Sequence, residues 1–115
     1  MQGVDRTRRV AQAIAEELPA ALRQVKDPRV TGLITVHQVT VSRDLGIARV
    51  RFGVFGDTDA AEAGAGLRQA AGFLRRCLAA SLHLRRMPEL RFEYDEPSNV
   101  DALLRQIAAR DGGGS

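Results

Sequence analysis

Apolar side chains recur early in the chain at Val10, Ile14, Leu18, Leu22 and Val25. Steps of three and four residues return to one side of a helix, so an amphipathic helix is predicted over roughly residues 5–25. Asp5 is placed to cap its start and Asp27-Pro28 to end it. Pro19 lies inside the pattern and is expected to kink the helix or split it. The period then changes. Val30 to Val41 is rich in β-branched residues and reads as a strand. Ile34 and Val36 share one parity and Val39 and Val41 the other, so a bulge or strong twist is expected near His37 or Gln38. Ser42-Arg43-Asp44-Leu45-Gly46 is a turn. Ile47 to Phe55 returns, with Ala48, Val50, Phe52 and Val54 on one face and Arg49, Arg51 and Gly53 on the other. The pair is a hairpin with one buried and one wetter face.

Asp59 with Glu62 fits a capping box for a second helix. Its first stretch is Ala-rich and contains Gly64 and Gly66. From Leu67 the pattern tightens: Leu67, Ala71, Leu74, Leu78, Ser81 and Leu82 share a face, and Arg68, Arg75, Arg76 and His83 lie away from it. Gly72 interrupts this helix at a cost of about 1 kcal/mol against alanine, which suggests a kink or a close backbone approach. The helix ends before Pro88. Leu90, Phe92 and Tyr94 alternate with Arg91, Glu93 and Asp95 as a third strand. Ser98 and Asp101 then cap a short helix carrying Val100, Leu103, Leu104 and Ile107, and residues 111–115 read as a flexible tail. The order is α+β, with helices on one face of a three-stranded sheet. A crossover through a helix after a hairpin makes the third strand parallel to the second.

At 115 residues, 44% hydrophobic and 27% charged, the chain reads as one domain over residues 1–110. A single cysteine, Cys77, excludes a disulfide framework, and it reads as a small core residue. The longest uncharged run, Val30 to Ser42, is too short to span a bilayer. No apolar segment resembling a signal peptide follows the start, so a cytoplasmic, soluble protein is expected.

Charge changes the picture more. Seventeen basic residues, of which only Lys26 is a lysine, face fourteen acids for a net charge of +3. Residues 68–91 carry six arginines against Glu89 alone, whereas residues 92–115 carry Arg105 and Arg110 against five acids. A basic middle beside an acidic end implies an oriented electrostatic surface. Arg68, Arg75, Arg76, Arg85 and Arg86 are expected along one exposed face, joined by Arg6, Arg9, Lys26 and Arg29 if the first helix packs alongside. Arginine's planar fork suits phosphate, although the same residues would also serve as a solvated helix face. Aromatics are only 4% of the chain, and Phe52, Phe92 and Tyr94 fall on core positions, so backbone contacts rather than base stacking are expected.

Catalytic chemistry finds little footing. His37 and His83 lie on different elements without an evident acid partner, and neither a nucleophile elbow, a P-loop nor a zinc-protease motif is present. The acids are dispersed without metal-ligand spacing. The reading is therefore no enzyme, no metal, no cofactor and no small-molecule substrate.

Several motifs in order carry a resemblance. Arg6-x-x-Arg9-Val10-Ala11-Gln12-x-Ile14 with Glu17-Leu18 is followed by Asp27-Pro28-Arg29-Val30. Val39-x-Val41-Ser42-Arg43-Asp44-Leu45-x-x-Ala48 comes next. Ala70-Ala71-Gly72-x-Leu74-Arg75 and Leu82-x-Leu84-Arg85-x-x-Pro88-Glu89-Leu90-x-Phe92 complete the set. In this order and spacing, from about Arg6 to Leu104, the chain resembles the ribosome-binding factor A family. The resemblance implies a type II KH-like domain of αββααβ order. In it a helix–kink–helix at Ala70, Ala71 and Gly72 stands in place of the GxxG loop that sets backbone N–H groups against phosphates. It also implies a monomeric maturation factor for the free small (30S) ribosomal subunit. Such a factor binds 16S rRNA late in assembly and rRNA processing, with special need at low temperature. The alternative from the residues alone is a protein-interaction module whose basic face meets an acidic partner.

Overall fold

The computed structural model describes residues 2–30, 34–56 and 58–96, with side chains from residue 6 onward. Helix α1 spans Gln2–Leu22. Ile14 and Leu18 are fully buried, and Val10 and Leu22 are partly buried against the same core. The helix begins before Asp5, which lies inside it and not at its cap. Pro19 does not split it either. The ring sits on the exposed side, and the helix bond it forgoes is its own, to the carbonyl of Ala15. The chain then unwinds through tighter bonds, Gln24 N to Ala21 O (3.0 Å) and Val25 N to Leu22 O (3.1 Å).

Strand β1 is Ile34–Val41 and β2 is Ile47–Val54. Of the run expected as a strand from Val30, residues 31–33 lie outside the described residues and Ile34–Val41 is strand. Val30 instead closes a turn, its N–H donating to Asp27 O at 2.9 Å. The antiparallel register slips between Val36 and Gln38, leaving His37 as the extra residue. That bulge reconciles the two parities: Val36, Val39 and Val41 all pair with the inward residues Phe52, Val50 and Ala48. In the turn, Ser42 Oγ and the Gly46 N–H both donate to Asp44 Oδ1, at 2.7 and 2.9 Å. The left-handed position is taken by Leu45 (φ 61°) and not by glycine. A bulky residue is uncommon there and is strained.

Helix α2 spans Ala60–Leu82, and β3 spans Glu89–Tyr94. Asp59 caps α2, with Oδ1 accepting from the N–H groups of Ala61 and Glu62. The helix is continuous through Ala70, Ala71 and Gly72, so the expected break is not present and the described order is αββαβ. A Cβ built on Gly72 would meet only Arg76 Nη1, at 3.7 Å, so neither close packing nor a positive φ calls for glycine there. His83 closes the helix in the left-handed conformation (φ 53°), its N–H donating to Ala79 O. The expected helix after Ser98 and the tail lie outside the described residues.

The sheet has the order β1-β2-β3, with β3 parallel to β2 as the crossover requires. α1 packs on β1 and on α2, and α2 packs on β3, so the two helices lie side by side on one sheet face. Ala48, Val50, Phe52, Leu90 and Phe92 from the sheet meet Ile14, Leu18, Leu67, Leu74 and Leu78 from the helices. Each large side chain so buried contributes roughly 1.5–3 kcal/mol of transfer free energy. Cys77 is partly buried against this core, as expected of a small filler, while Ser81 is exposed and donates to Glu17 Oε2 (3.2 Å). Gly66, not Gly72, is the glycine under pressure. Its Cβ would lie 2.8 Å from Val30 Cγ2 and 3.1 Å from Arg29 Cβ.

Candidate nucleic-acid interface

Among the described residues, three clefts are each lined by two or more basic side chains. The first lies between α1, the hairpin turn and the segment joining α2 to β3. Arg6, Arg9, Arg85 and Arg86 line it over an apolar floor of Val10, Ala13, Leu45 and Leu84, enclosing about 470 Å³. The left-handed cap at His83 turns the chain out of α2, and Arg75 holds the segment from the other side. Its Nε and Nη2 donate to Met87 O at 3.2 and 2.8 Å. Among the described residues no carboxylate lines this cleft. The nearby Asp44 is kept ionised below the usual carboxylate range, first by the Ser42 hydroxyl and the Gly46 N–H, with Arg86 adding a smaller attraction.

The second cleft, about 570 Å³, runs between α2 and β3 and is lined by Arg68, Ala71, Gly72, Arg75 and Arg91. Glu89 and Glu93 line it too. Arg91 Nε lies 2.9 Å from Glu89 Oε2, and Glu93 faces Arg49 at 3.9 Å across the sheet. Three arginines are thus offset by two carboxylates, which weakens the cleft as a phosphate site. The third, about 670 Å³, lies where α1 ends against α2 and is lined by Arg23, Gln24, Val25, Lys26, Ala70 and Phe73.

Two expected phosphate ligands are engaged within the fold. Arg29 forks onto Asp27, with Nη2 at 2.6 Å from Oδ2 and Nε at 3.0 Å from Oδ1, and it reaches Gln69 Oε1 at 2.6 Å. The Asp27 carboxyl is lowered to about 2, chiefly by the Arg29 side chain and then by the Arg29 N–H. Arg75 is committed to the Met87 carbonyl. Arg76 is exposed, its guanidinium turned back beside Gly72. Rather than one unbroken basic face, the structure brings Arg6, Arg9, Arg85 and Arg86 together and sets Arg68 and Lys26 in separate clefts.

Three groups were not anticipated. Arg23 lies outside the basic run of residues 68–91, and Arg91, the last arginine of that run, lies on β3 and not on α2. Phe73 is 37% exposed. It falls off the Leu67–Leu74–Leu78 stripe, and that offset was the available signal. His37 does have an acid partner: Nδ1 lies 2.9 Å from Asp95 Oδ2, and Nε2 lies 3.1 Å from Thr35 Oγ1. The ring covers Gly53, whose Cβ would come within 2.6 Å of it. The acid is 58 residues away in the chain, beyond the reach of local pattern. Among the described residues no three His, Cys, Asp or Glu side chains cluster as metal ligands, and no helix is long and apolar enough to cross a membrane.

Comparison with known proteins bears on what such a surface meets. Residues 6–107 match the family profile described as ribosome-binding factor A. A protein of that name from Magnetococcus marinus is 42% identical over 108 residues, covering 89% of this chain and 88% of its own. The crystal structure of ribosome-binding factor A from Thermus thermophilus superposes with a TM-score of 0.62 at 30% identity, over 79% of this chain and 92% of that one. Thermus thermophilus coordinates fitted into the cryo-electron microscopy map of a 30S complex give a TM-score of 0.56 at 30% identity. That match covers 76% of this chain and 89% of the other.

Proposed function

Since the chain belongs to the ribosome-binding factor A family, we propose that it is a maturation factor that binds the free 30S ribosomal subunit through phosphates of 16S rRNA. It acts by binding and not by catalysis, as a cytoplasmic monomer, late in subunit assembly and rRNA processing, with its greatest importance at low temperature. The observation that carries this reading is the cleft in which Arg6, Arg9, Arg85 and Arg86 converge from two separate segments, with no carboxylate among its described lining residues. Four forks of one sign in a concave site attract a phosphate backbone and release its counterions. Arg68 and Arg76 extend the surface along α2, and Lys26 extends it at the far end of α1. Arg29 and Arg75 support it by holding the loops in place.

Filter binding to precursor 30S subunits across a salt series tests this directly. Replacing Arg85 and Arg86 together by glutamine should weaken binding, and the log–log slope against salt should become shallower by about 1.4 to 1.8 for two lost phosphate contacts. Replacing Arg49 and Arg51 on the far sheet face should change it far less. Parent-like affinity of the Arg85/Arg86 variant at every salt concentration would remove this cleft from the interface. Sedimentation with translating ribosomes in preference to free subunits would refute the proposed stage of action. A chain deletion should slow growth most in the cold and leave 16S rRNA ends unprocessed.

A further inference from the structure

We propose that the cleft between the end of α1 and the middle of α2 is a stacking site for a single unpaired base of RNA, with Phe73 as its platform. This deepens the reading above, and rests on it, by naming what that part of the surface recognises: a splayed nucleotide, not a duplex backbone.

Phe73 is exposed on a helix whose core stripe runs elsewhere, through Leu67, Leu74 and Leu78. It faces a cleft of about 670 Å³ whose other lining residues are Val25, Ala70, Gln24, Arg23 and Lys26. That volume falls within the roughly 300–1,000 Å³ of clefts that enclose a small ligand or one of its units. The composition is the one a nucleotide needs: an aromatic face for the base, small apolar residues beside it and two cations for the flanking phosphates. Among the described residues no acid lines the cleft, in contrast to the α2–β3 cleft with its Glu89 and Glu93. A paired base has both faces covered by its neighbours in the helix and cannot reach Phe73, whereas an unpaired base offers a π-face to any aromatic. Ala70 fits the same picture, since a larger side chain there would narrow the slot beside the ring.

The chain contains no tryptophan, so Phe73→Trp places a single indole reporter in the cleft. That variant is titrated with a short single-stranded oligouridylate and oligoadenylate and with a blunt-ended RNA duplex that has no loop, while anisotropy of labelled RNA reports binding independently. Single strands should quench the indole emission and the duplex should not. Phe73→Leu keeps the apolar contact but removes the ring, and should weaken single-strand binding by at least about fivefold, the lower end of what one stacked base contributes. Phe73→Tyr should restore it. Phe55→Leu, at an aromatic 59% exposed but outside this cleft, should bind like the parent. Binding of single strands without quenching overturns the proposal, as does parent-like binding by Phe73→Leu. A protein partner seated on the same face would give the second result, because leucine would satisfy it. Co-sedimentation of the parent with 30S subunits separates the two levels. If the parent sediments with subunits while the oligonucleotides leave the indole untouched, stacking fails and the ribosomal reading stands. If the parent neither sediments with subunits nor binds RNA, both fail.

Discussion

Both halves of α2 contain glycine, and the fold uses those glycines in opposite ways. In the first half, Gly64 and Gly66 are buried and Gly66 receives Val30, which is 2% exposed. The Asp27–Arg29–Gln69 clamp presses that loop onto the same half. In the second half, Gly72 is exposed with open space beyond it, and Phe73, Arg75 and Arg76 point outward or toward the loop that follows. A glycine inside a helix always carries a propensity cost. Whether that cost is repaid depends on what approaches from outside the helix. At the Gly-rich start, which weakens the helix on paper, the glycines are packed. At the expected kink the glycine is not.

The largest effect that can break this contrast is at Gly66. Gly66→Val puts a branched side chain where even a Cβ would stand 2.8 Å from a buried valine. Overpacking of this kind costs about 1–3 kcal/mol, and the upper part of that range is expected because the loop is clamped. A lowered urea midpoint at unchanged slope would be the signature. A variant as stable as the parent would mean that the loop moves aside freely.

Arg75 comes next. Its guanidinium donates twice to the Met87 carbonyl, in the segment that carries Arg85 and Arg86. Arg75→Ala should cost about 1.5 kcal/mol, the low end for a hydrogen bond from a charged donor. It should also lower affinity for precursor subunits indirectly, by loosening that segment. Arg76→Ala should leave stability nearly unchanged. If the two substitutions have equal effects on thermal unfolding, Arg75 is not a tether.

These pairs mark where the sequence stops being legible. The hairpin, the bulge at His37, the Asp59 cap and the parallel third strand all follow from local periodicity or from chain topology, and each stands in the structure. The family follows from motifs in order. What escapes is the side-chain contacts between residues apart in sequence: Val30 on Gly66, Arg75 on Met87, Asp95 on His37. Arginines count equally in a sum of charges, yet the fold turns Arg29 inward and leaves Arg85 to solvent. Phe73 escaped for a different reason. An aromatic beside a core stripe is assigned to the core by default, and only its angular offset says otherwise.

Gly72 sharpens the contrast by reversing the sign. Nothing within van der Waals reach of its missing Cβ except the end of Arg76 requires glycine, and its φ is ordinary. Gly72→Ala should therefore stabilise the domain by about 0.5–1 kcal/mol. A loss of stability would indicate a bend that glycine serves. A gain in stability with a loss of subunit affinity would place the bare backbone at Gly72 in contact with RNA.

The smallest effect is the pH dependence of the clamp on the first half. The Arg29–Asp27 pair is partly exposed, so water screens it and its contribution is modest. Its sign is nevertheless fixed. The Asp27 carboxyl titrates at about 2 in the fold against 3.8 unperturbed, because the Arg29 side chain and N–H bind its ionised form. A carboxyl with a depressed folded pKa takes up its proton more readily when unfolded. The stability it contributes is therefore complete above about pH 4 and drains away as the pH falls toward 2. In the second half the Arg75–Met87 tether joins a guanidinium to a backbone carbonyl and involves no carboxylate. The difference in stability between the parent and Asp27→Asn, measured by denaturant titration from neutral pH into acid, should shrink across this interval. The difference between the parent and Arg75→Ala should hold steady. If the Asp27→Asn difference stays constant down to pH 2, the ionised carboxylate is not what clamps the loop. Val30 would then be held against Gly66 by packing alone.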